Sequence, residues 1–209
     1  VIYRVIATDS DSTSISYSIS GIDASLLNIN SSTGEITLKL AANYEYKNSY
    51  SFNVIAYDGL FSSSKSIIVN INNVNETPII TSSTTGTIAE NSALSTVIYK
   101  TTATDADANT TLKYSLSGID SSLLNINSST GAVTLKSSAN YEAKKSYSFN
   151  VIASDGSLSS SKAVIVNVSN VNEFRPTSVN KTITMNEDSK RVLTLTDFAF
   201  SDADVNSSL

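Results

Sequence analysis

The chain repeats itself at an interval of 97 residues, and this repeat constrains its fold more than any other feature. Ser16–Glu76 and Lys113–Glu173 align without a gap and are identical at 45 of 61 positions. A unit of this length is too long for one repeat of a solenoid and has the size of an independently folding domain. We therefore predict tandem domains that are near-copies of one another.

Short segments rich in Asn and Glu mark the boundaries between these domains. Val74–Pro78 returns as Val171–Pro176. Both segments should end a strand, because Asn favours turns and Pro cannot donate a hydrogen bond to a ladder. The motif at Asp105–Asp107 recurs at Asp202–Asp204, so a third unit begins after the second boundary. The predicted domains are a first repeat without its opening strand, a complete repeat and the N-terminal part of a third, at residues 1–76, 77–173 and 174–209.

Composition excludes several classes of function. The 209 residues include no Cys, which rules out disulfides and thiolate metal sites but not an extracellular location. They include no His, so a Ser-His-Asp triad cannot form, and we predict that the chain is not an enzyme. The formal net charge of −5 argues against a nucleic-acid partner. No apolar stretch approaches the ~18 residues that span a bilayer, so no membrane span is expected in this fragment.

Alternation of apolar and polar side chains predicts β-strands in the complete repeat. Tyr147–Ala153 alternates at period two, and the three valines of Val164–Val168 share one face of the following segment. Leu123–Asn127 and Ala132–Lys136 are expected to form a hairpin, with Gly131 at a positive φ in its turn. Further strands are predicted at Gly86–Glu90, Val97–Thr104 and Leu112–Ser117.

About seven short strands per repeat predict an all-β fold: tandem Greek-key β-sandwiches with immunoglobulin-like topology. The one helix-like piece, Asn140–Lys145, is too short to be more than a turn. Alternate strand positions should face the core, so that hydroxylated neighbours such as Ser148 face water. The side chains predicted to point inward are those of Leu112, Tyr114, Leu124, Ile126, Val133, Leu135, Tyr147, Phe149, Val151, Ala153, Val164 and Val166.

Fourteen of the 19 acidic residues form a repeated set at predicted strand ends. Carboxylates that gather at the ends of a sandwich repel one another unless a cation neutralises them. With no His or Cys available, hard oxygen ligands favour Ca²⁺, which takes about 6–8 oxygens. The alternative is that Asp and Asn only favour solvated turns here. The repeated acids are Asp9, Asp11, Glu45, Asp58, Glu76, Glu90, Asp105, Asp107, Glu142, Asp155, Glu173, Glu187, Asp202 and Asp204.

Six motifs of the complete repeat follow one another in a fixed order: Asp105-Ala106-Asp107, Leu124-x-Ile126, Thr130-Gly131, Asn140-Tyr141-Glu142, Ala153-x-Asp155-Gly156 and Asn170-Val171-Asn172-Glu173. Together they resemble the cadherin repeat, and specifically the cadherin-like repeats of bacterial surface proteins. The resemblance covers essentially the whole chain. It implies calcium at each junction between repeats, with ligands from both neighbours.

The resemblance also implies which residues would bind calcium. The ligands of the first junction would be Glu45, Asn73, Asn75 (through its carbonyl), Glu76, Asp105, Asp107 and Asp155. Those of the second junction would be Glu90, Glu142, Asn170, Asn172, Glu173, Asp202 and Asp204. The residues that would face a junction upstream of this fragment are Asp9, Asp11 and Asp58.

Several positions depart from the family's pattern. Asn43 and Asn140 replace the Asp that usually precedes the Tyr-Glu or Arg-Glu pair, and Asn73 and Asn170 replace the first Asp of the linker motif. Fewer negative ligands predict fewer or weaker calcium ions than the family's three. Vertebrate cadherins that adhere by swapping a strand anchor it with Trp. This chain has no Trp, so we do not expect that adhesive mechanism.

The favoured hypothesis is a calcium-rigidified array of spacer or adhesion repeats in a large extracellular bacterial surface protein. Its partners would be the neighbouring repeats of the same chain. Near-identical copies suit a spacer, which needs length more than chemical variety. One alternative is direct binding, either homophilic or to a cell-surface glycan or protein. Aromatic differences between copies, such as Tyr57 against Ser154, would favour it. Another is a fibre subunit, in which Thr182–Met185 adds a strand to a neighbour's first repeat.

Overall fold

The computed structural model describes residues 1–11, 14–198, 200–202 and 204. The chain divides into two compact units, and each is described by itself. The first consists of Val1–Glu76 together with the tripeptide Ala106–Ala108. The second consists of Thr77–Asp105 and the residues from Asn109 on. The described residues of both units form strands, loops and single 3₁₀ turns, without an α-helix.

The first unit is a sandwich of two antiparallel sheets. Its strands are β1 (Tyr3–Arg4), β2 (Ser16–Ser20), β3 (Leu27–Ile29), β4 (Glu35–Leu38), β5 (Ser49–Tyr57) and β6 (Ser62–Asn70). One sheet has the order β2-β5-β6 and the other β1-β4-β3. A 3₁₀ turn at Ala24–Leu26 leads into β3. Side chains from both sheets, such as Ile36 and Phe52, meet in one buried cluster.

The second unit has a larger sheet and several smaller ones. Its strands are β7 (Ile79–Ile80), β8 (Thr85–Ala89), β9 (Tyr99–Lys100), β10 (Ala103–Thr104), β11 (Lys113–Ser117), β12 (Leu124–Ile126), β13 (Ala132–Leu135), β14 (Ser146–Ser154), β15 (Ser159–Ser169), β16 (Thr177–Ser178) and β17 (Phe200–Ser201). The sheets have the orders β11-β14-β15-β8, β12-β13-β9, β10-β7 and β16-β17. The 3₁₀ turns lie at Ser121–Leu123 and Leu195–Asp197.

Local sequence accounts for the hairpin between β12 and β13. The Oδ1 atom of Asn127 accepts hydrogen bonds from the N–H groups of Ser129 and Thr130, each at 3.0 Å, and so closes the turn. Gly131 follows with φ +70°, and a Cβ added there would lie 2.4 Å from the carbonyl oxygen of Thr101. Only glycine fits this position without strain. The predicted positive φ at Gly131 is confirmed.

The predicted all-β sandwich and most of its core are confirmed. Nine of the twelve residues predicted to point inward are buried, and two more, Tyr114 and Ile126, are half-buried and pack against the same cluster. Leu112, which precedes the paired residues of β11, is also half-buried but is not among the side chains that pack against this cluster. Its inward placement stays a prediction. Ser148 is exposed, as predicted.

Two strand predictions need correction. Val97–Thr104 is not one strand: β9 pairs with β13, whereas β10 pairs with β7. The stretch Thr77–Glu173 therefore holds nine short strands, not about seven. The structure also shows a parallel pair, β8 with β15, which the sequence did not predict. Asn140–Lys145 contains a turn and no helix, as predicted.

The C-terminal segment differs from the prediction for a third repeat's opening strand. Thr182–Met185 forms no strand in the described structure, and the strands of this segment are β16 and β17, which pair with each other. Pairing of Thr182–Met185 with another molecule stays a prediction. The two boundaries between the three predicted domains also stay a prediction.

Candidate metal centre

Three carboxylates of the second unit converge where loops leave the sandwich. Glu90, Glu142 and Glu173 each offer one oxygen, and these oxygens all lie within 4.8 Å of one another. The three residues come from different segments: the end of β8, the turn before β14 and the loop after β15. Like charges at this separation repel strongly. A cation or a proton at this position would relieve the repulsion.

Glu90 is buried and is held by backbone amides. It follows the last residue of β8, and its side chain is 3% exposed. Its Oε2 atom accepts the N–H of Tyr141 at 2.7 Å, and its Oε1 atom accepts the N–H of Val171 at 2.7 Å. Glu90 therefore fixes the positions of the two segments that carry Glu142 and Glu173.

Glu142 has no such compensation. Both of its carboxylate oxygens are buried, and neither has a hydrogen-bond partner among the described residues. The turn that carries it is closed by Asn140, whose Oδ1 atom accepts the N–H of Ala143 at 2.7 Å. A buried carboxylate without partners is strongly destabilising unless a ligand satisfies it. Glu142 is therefore the clearest candidate for a cation ligand in this unit.

Asp202 and Asp204 lie beside Glu173 in the same unit. The Oδ2 atom of Asp204 accepts the N–H groups of Glu173 and Phe174 at 3.1 and 2.9 Å. Asp202 accepts the N–H of Asp204 through Oδ1 at 2.9 Å. Its other oxygen, Oδ2, is buried and has no hydrogen-bond partner in the described part of the chain. Asp202 thus provides a second unsatisfied acceptor.

The charges of this cluster act on Glu173. Burial, and then the negative charges of Glu90, Glu142 and Asp204, raise the pKa of Glu173 above its ordinary value. A hydrogen bond from the Nδ2 atom of Asn91 to Glu173 acts in the opposite direction. The net shift shows that the negative form of Glu173 is disfavoured here without a cation.

The first unit contains a related cluster, in which Glu45 and Glu76 correspond to Glu142 and Glu173. Glu45, Glu76 and Asp107 also bring one oxygen each within 4.8 Å of the others. The Oδ2 atom of Asp107 accepts the N–H of Glu76 at 3.0 Å, and Oδ1 accepts the Nδ2–H of Asn73 at 2.7 Å. Asp107 belongs to the tripeptide that packs in the first unit. Its bond to Glu76 matches the bond of Asp204 to Glu173, 97 residues further along the chain.

The donor sets fit a calcium ion. Every side-chain donor is a carboxylate or amide oxygen, and the chain has no His or Cys that would favour a transition metal. Oxygens of Glu142 and Asp202 are buried without a hydrogen-bond partner among the described residues, and Glu142 belongs to the cluster. Glu45, Glu76 and Asp107 would hold an ion in the first unit, and Glu90, Glu142 and Glu173, with Asp202 and Asp204 nearby, would hold one in the second.

Other predicted ligands lie outside both clusters. The Oδ1 atom of Asp58 accepts the N–H groups of Leu60 and Phe61. The Oδ1 atom of Asp155 likewise accepts the N–H groups of Ser157 and Leu158. One oxygen of each thus closes a turn, as the alternative hypothesis proposed. The pKa of Asp11 is raised by a hydrogen bond and by charge from Asp9, so these two acids are close together. The predicted ligands for which a role in metal binding stays a prediction include Asp9, Asp11, Asp58, Asn75, Asp105, Asp155, Asn170 and Asn172.

Sequence reasoning missed two kinds of supporting residue. Asn91, which donates to Glu173, follows Glu90 directly and carries no recognisable motif. Asp23 and Asp120 are buried and form ion pairs with Lys47 and Lys144, both at 2.9 Å. The signal for these two Asp residues was available, because all four residues recur unchanged between the repeats.

Comparison with known proteins identifies the class of the repeat. Residues 84–169, which contain β8 to β15, match the model of the family described as the Cadherin domain. The predicted resemblance to the cadherin repeat is confirmed over that range. No helix in the described part of the chain is long and apolar enough to cross a membrane.

Similarity to individual cadherins extends beyond this range. The chain is 33% identical over 178 residues to Protocadherin Fat 4 of Homo sapiens, an alignment that covers 80% of this chain and 4% of that protein. The crystal structure of mouse Cadherin-23 EC22-24 is 26% identical, with a TM-score of 0.63, and the match covers 92% of this chain and 66% of that chain. Protocadherin Gamma B2 extracellular cadherin domains 3-6 share the fold at 21% identity, with a TM-score of 0.70 and coverages of 92% and 51%. The chain spans only a small part of the length of its curated relatives, 4% in the case of Protocadherin Fat 4. The organisms named for these matches, Homo sapiens and mouse, are animals.

Proposed function

We propose that this chain is a calcium-rigidified segment of tandem adhesion or spacer repeats in a large extracellular surface protein. The observation that carries the proposal is the cluster of Glu90, Glu142 and Glu173, in which both oxygens of Glu142 are buried without a hydrogen-bond partner among the described residues. The recurrence of such a cluster in the first unit supports it, because a ligand that serves every repeat should have a site in every repeat. The bacterial source stays a prediction from the resemblance.

Calcium would change the mechanics of the chain. Domains joined by a few residues bury little surface against each other and are expected to move independently. An ion bound by Glu45, Glu76 and Asp107 would fix the tripeptide Ala106–Ala108, which continues along the chain into the second unit at both of its ends. Binding would also stabilise the fold, by about 2.7 kcal/mol when free calcium is 100 times Kd.

Calorimetry and scattering test the proposal. Extracellular modules bind calcium with Kd of about 10⁻⁴–10⁻³ M, and the Asn replacements place this chain toward the weaker end. We expect saturable binding by calorimetry, a higher melting temperature and a narrower distribution of shapes in small-angle scattering with millimolar calcium than with chelator. Glu45→Gln and Glu142→Gln should reduce these responses. Glu35→Gln removes one carboxylate outside both clusters and serves as the control. Identical scattering and melting with calcium and chelator would refute the proposal.

A second candidate function is direct ligand binding by the first unit. Leu60 and Phe61 are 78% and 72% exposed, and Tyr57 beside them is 45% exposed. The second repeat has Ser157, Leu158 and Ser154 at these positions, so the two aromatic side chains of this group are specific to one copy. Exposed aromatic side chains can stack on sugars or on another protein. A fibre subunit stays a third hypothesis.

Binding of the chain to immobilised glycans and to itself tests the second candidate. The triple substitution Tyr57→Ser, Leu60→Ser and Phe61→Leu converts the group to the sequence of the second repeat. Loss of binding in this variant, with unchanged calcium affinity, would separate ligand binding from the calcium-dependent role. Equal binding by both proteins would refute this candidate.

A further inference from the structure

The turn that carries Glu142 is held at two points, and one of them is independent of the carboxylate cluster. Glu90 accepts the N–H of Tyr141 at the start of the turn. At its end, the Nζ atom of Lys144 lies 2.9 Å from the Oδ1 atom of Asp120. Lys144 also donates its backbone N–H to the carbonyl of Asn140 at 2.9 Å, which closes the turn. Glu142 lies between these two attachments.

Asp120 is itself attached to the central strand β14. Its Oδ2 atom accepts the N–H of Ser148 at 2.7 Å, and its own N–H donates to the carbonyl of Ser148 at 3.1 Å. Asp120 is 5% exposed, and the ammonium of Lys144 lies 5.5 Å from the ring centroid of the buried Tyr147. A continuous set of contacts thus runs from β14 through Asp120 and Lys144 to the turn.

The first unit contains the same contacts. Asp23 lies 2.9 Å from Lys47 and accepts the N–H of Ser51 at 2.7 Å. Lys47 lies 5.5 Å from the ring centroid of Tyr50 and closes the turn that carries Glu45. Two copies with the same distances indicate a shared role.

We propose that Lys144, through its ion pair with Asp120, is a positioning residue for the calcium ligand Glu142, and that Lys47 and Asp23 do the same for Glu45. The inference rests on the proposed calcium function. The role of Lys144 is testable because this residue has two effects on the calcium affinity of the site, and the two effects have opposite signs. As a nearby positive charge, Lys144 weakens cation binding. As a positioning residue, it strengthens binding by holding Glu142 in place before the ion arrives.

Lys144→Met separates the two effects, because it removes the charge but keeps an unbranched apolar stem over Tyr147. In the full 209-residue chain, we expect this substitution to lower the calcium affinity of the second-unit site about three- to tenfold. Outer-shell substitutions cost about 10–100-fold, and a partly exposed ion pair should contribute less than most. Lys144→Arg, which keeps the charge and can reach Asp120, should restore most of the affinity. Lys113→Met removes an equal charge from exposed Lys113 on β11 and should leave affinity unchanged or slightly higher.

A measurement without calcium checks the same role. In chelator, amide hydrogen exchange at Ala143 and Lys144 should be several-fold faster in Lys144→Met than in Lys113→Met. Exchange in the centre of β14 should be equal in the two variants. The pair Lys47→Met and Lys47→Arg provides the same test in the first unit if a variant of the second unit fails to fold.

The outcomes distinguish this inference from the proposed function. If the wild-type chain shows no saturable calcium binding, the proposed function is wrong, and so is the positioning role of Lys144. If the wild type binds but Lys144→Met binds as tightly as Lys113→Met, or more tightly, Lys144 acts only as a charge and the inference alone is wrong. Weaker binding that Lys144→Arg restores, with faster exchange in the turn, supports positioning.

Discussion

Glu90 and Glu142 belong to one cluster, but substitution by Gln should affect the stability of the calcium-free protein in opposite directions. Glu90 is 3% exposed and accepts two backbone hydrogen bonds of 2.7 Å, whereas neither oxygen of Glu142 has a partner among the described residues. Gln has one oxygen acceptor and one NH₂ donor in place of the two carboxylate oxygens. In Glu90→Gln, the N–H of either Tyr141 or Val171 must therefore face the side-chain NH₂ group, which cannot accept its hydrogen bond.

The size of the effect follows from these contacts. A hydrogen bond to a charged group contributes about 1.5–3 kcal/mol, and an unsatisfied buried donor costs a similar amount. Reduced repulsion from Glu142 and Glu173 offsets part of this loss, so we expect Glu90→Gln to destabilise the calcium-free protein by about 2 kcal/mol. For a domain of this size, that lowers the melting temperature by about 8–16 °C. Glu142→Gln loses no hydrogen bond and removes an unpaired buried charge, so its melting temperature should be equal to or above that of wild type.

Circular dichroism melting curves in chelator, for wild type and the two variants, provide the test. Calcium should then raise the melting temperature of wild type but raise that of Glu142→Gln much less. If Glu90→Gln melts at or above wild type in chelator, its two backbone hydrogen bonds do not stabilise the fold and the reasoning is wrong. If Glu142→Gln is strongly destabilised without calcium, Glu142 has a partner that stabilises the fold.

Three further substitutions test separate features. The raised pKa of Glu173 means that its carboxylate destabilises the fold as pH rises through that pKa, so Glu173→Gln should melt higher than wild type at pH 7 in chelator and respond less to calcium. For Asp120, burial acts to raise the pKa, but the hydrogen bond from Ser148 and the charge of Lys144 hold it below the ordinary value. Its stabilisation should thus be present above the ordinary Asp pKa of about 3.9 and be lost as pH falls through the lowered pKa, so the free energy of unfolding of Asp120→Asn, measured with urea, should fall less than that of wild type over this range. Gly131→Ala should lower the melting temperature more than Gly156→Ala, because both positions have a positive φ but only the first places the new Cβ against backbone, at 2.4 Å.

The sequence predicted best those strands whose two faces differ. β14 alternates fully buried residues with less buried ones along its whole length, and its predicted and observed bounds agree within one residue at each end. β11, β13 and β15 follow the same rule, because one face packs in the core and the other meets water. For such strands, local periodicity contains the needed information.

Pairing between distant segments could not be predicted in this way. Val97–Thr104 is rich in β-branched residues throughout, and nothing local shows where it leaves one sheet for another. The change occurs at Thr101 and Thr102, where the N–H of Thr101 bonds to Gly131 and the carbonyl of Thr102 accepts the N–H of Thr81. Partners about 20–30 residues away therefore decide the strand boundary.

The candidate site was predictable as a set of positions but not as a set of roles. The repeat identified Glu90 and Glu142 as candidate ligands, since acidic residues at strand ends recur with it. The sequence could not show that Glu90 is fully hydrogen-bonded while Glu142 is not, because this depends on which backbone N–H groups point at each carboxylate. Those directions are fixed by tertiary structure.

The pairing of β8 with β15 explains how the fold delivers Glu90 to the cluster. The parallel ladder ends at the pair Ala89 and Ser169, and the N–H of Glu90 then donates to the carbonyl of Ser169 at 3.1 Å. The side chain of Glu90 continues the same pairing by accepting the N–H of Val171. A slip of one residue between these strands would turn Glu90 to the opposite face, since side chains alternate along a strand. The register that buries Ile88 and Val168 in the core is thus the register that places this carboxylate beside Glu142. Stabilising the sandwich and assembling the candidate metal centre are therefore one structural requirement.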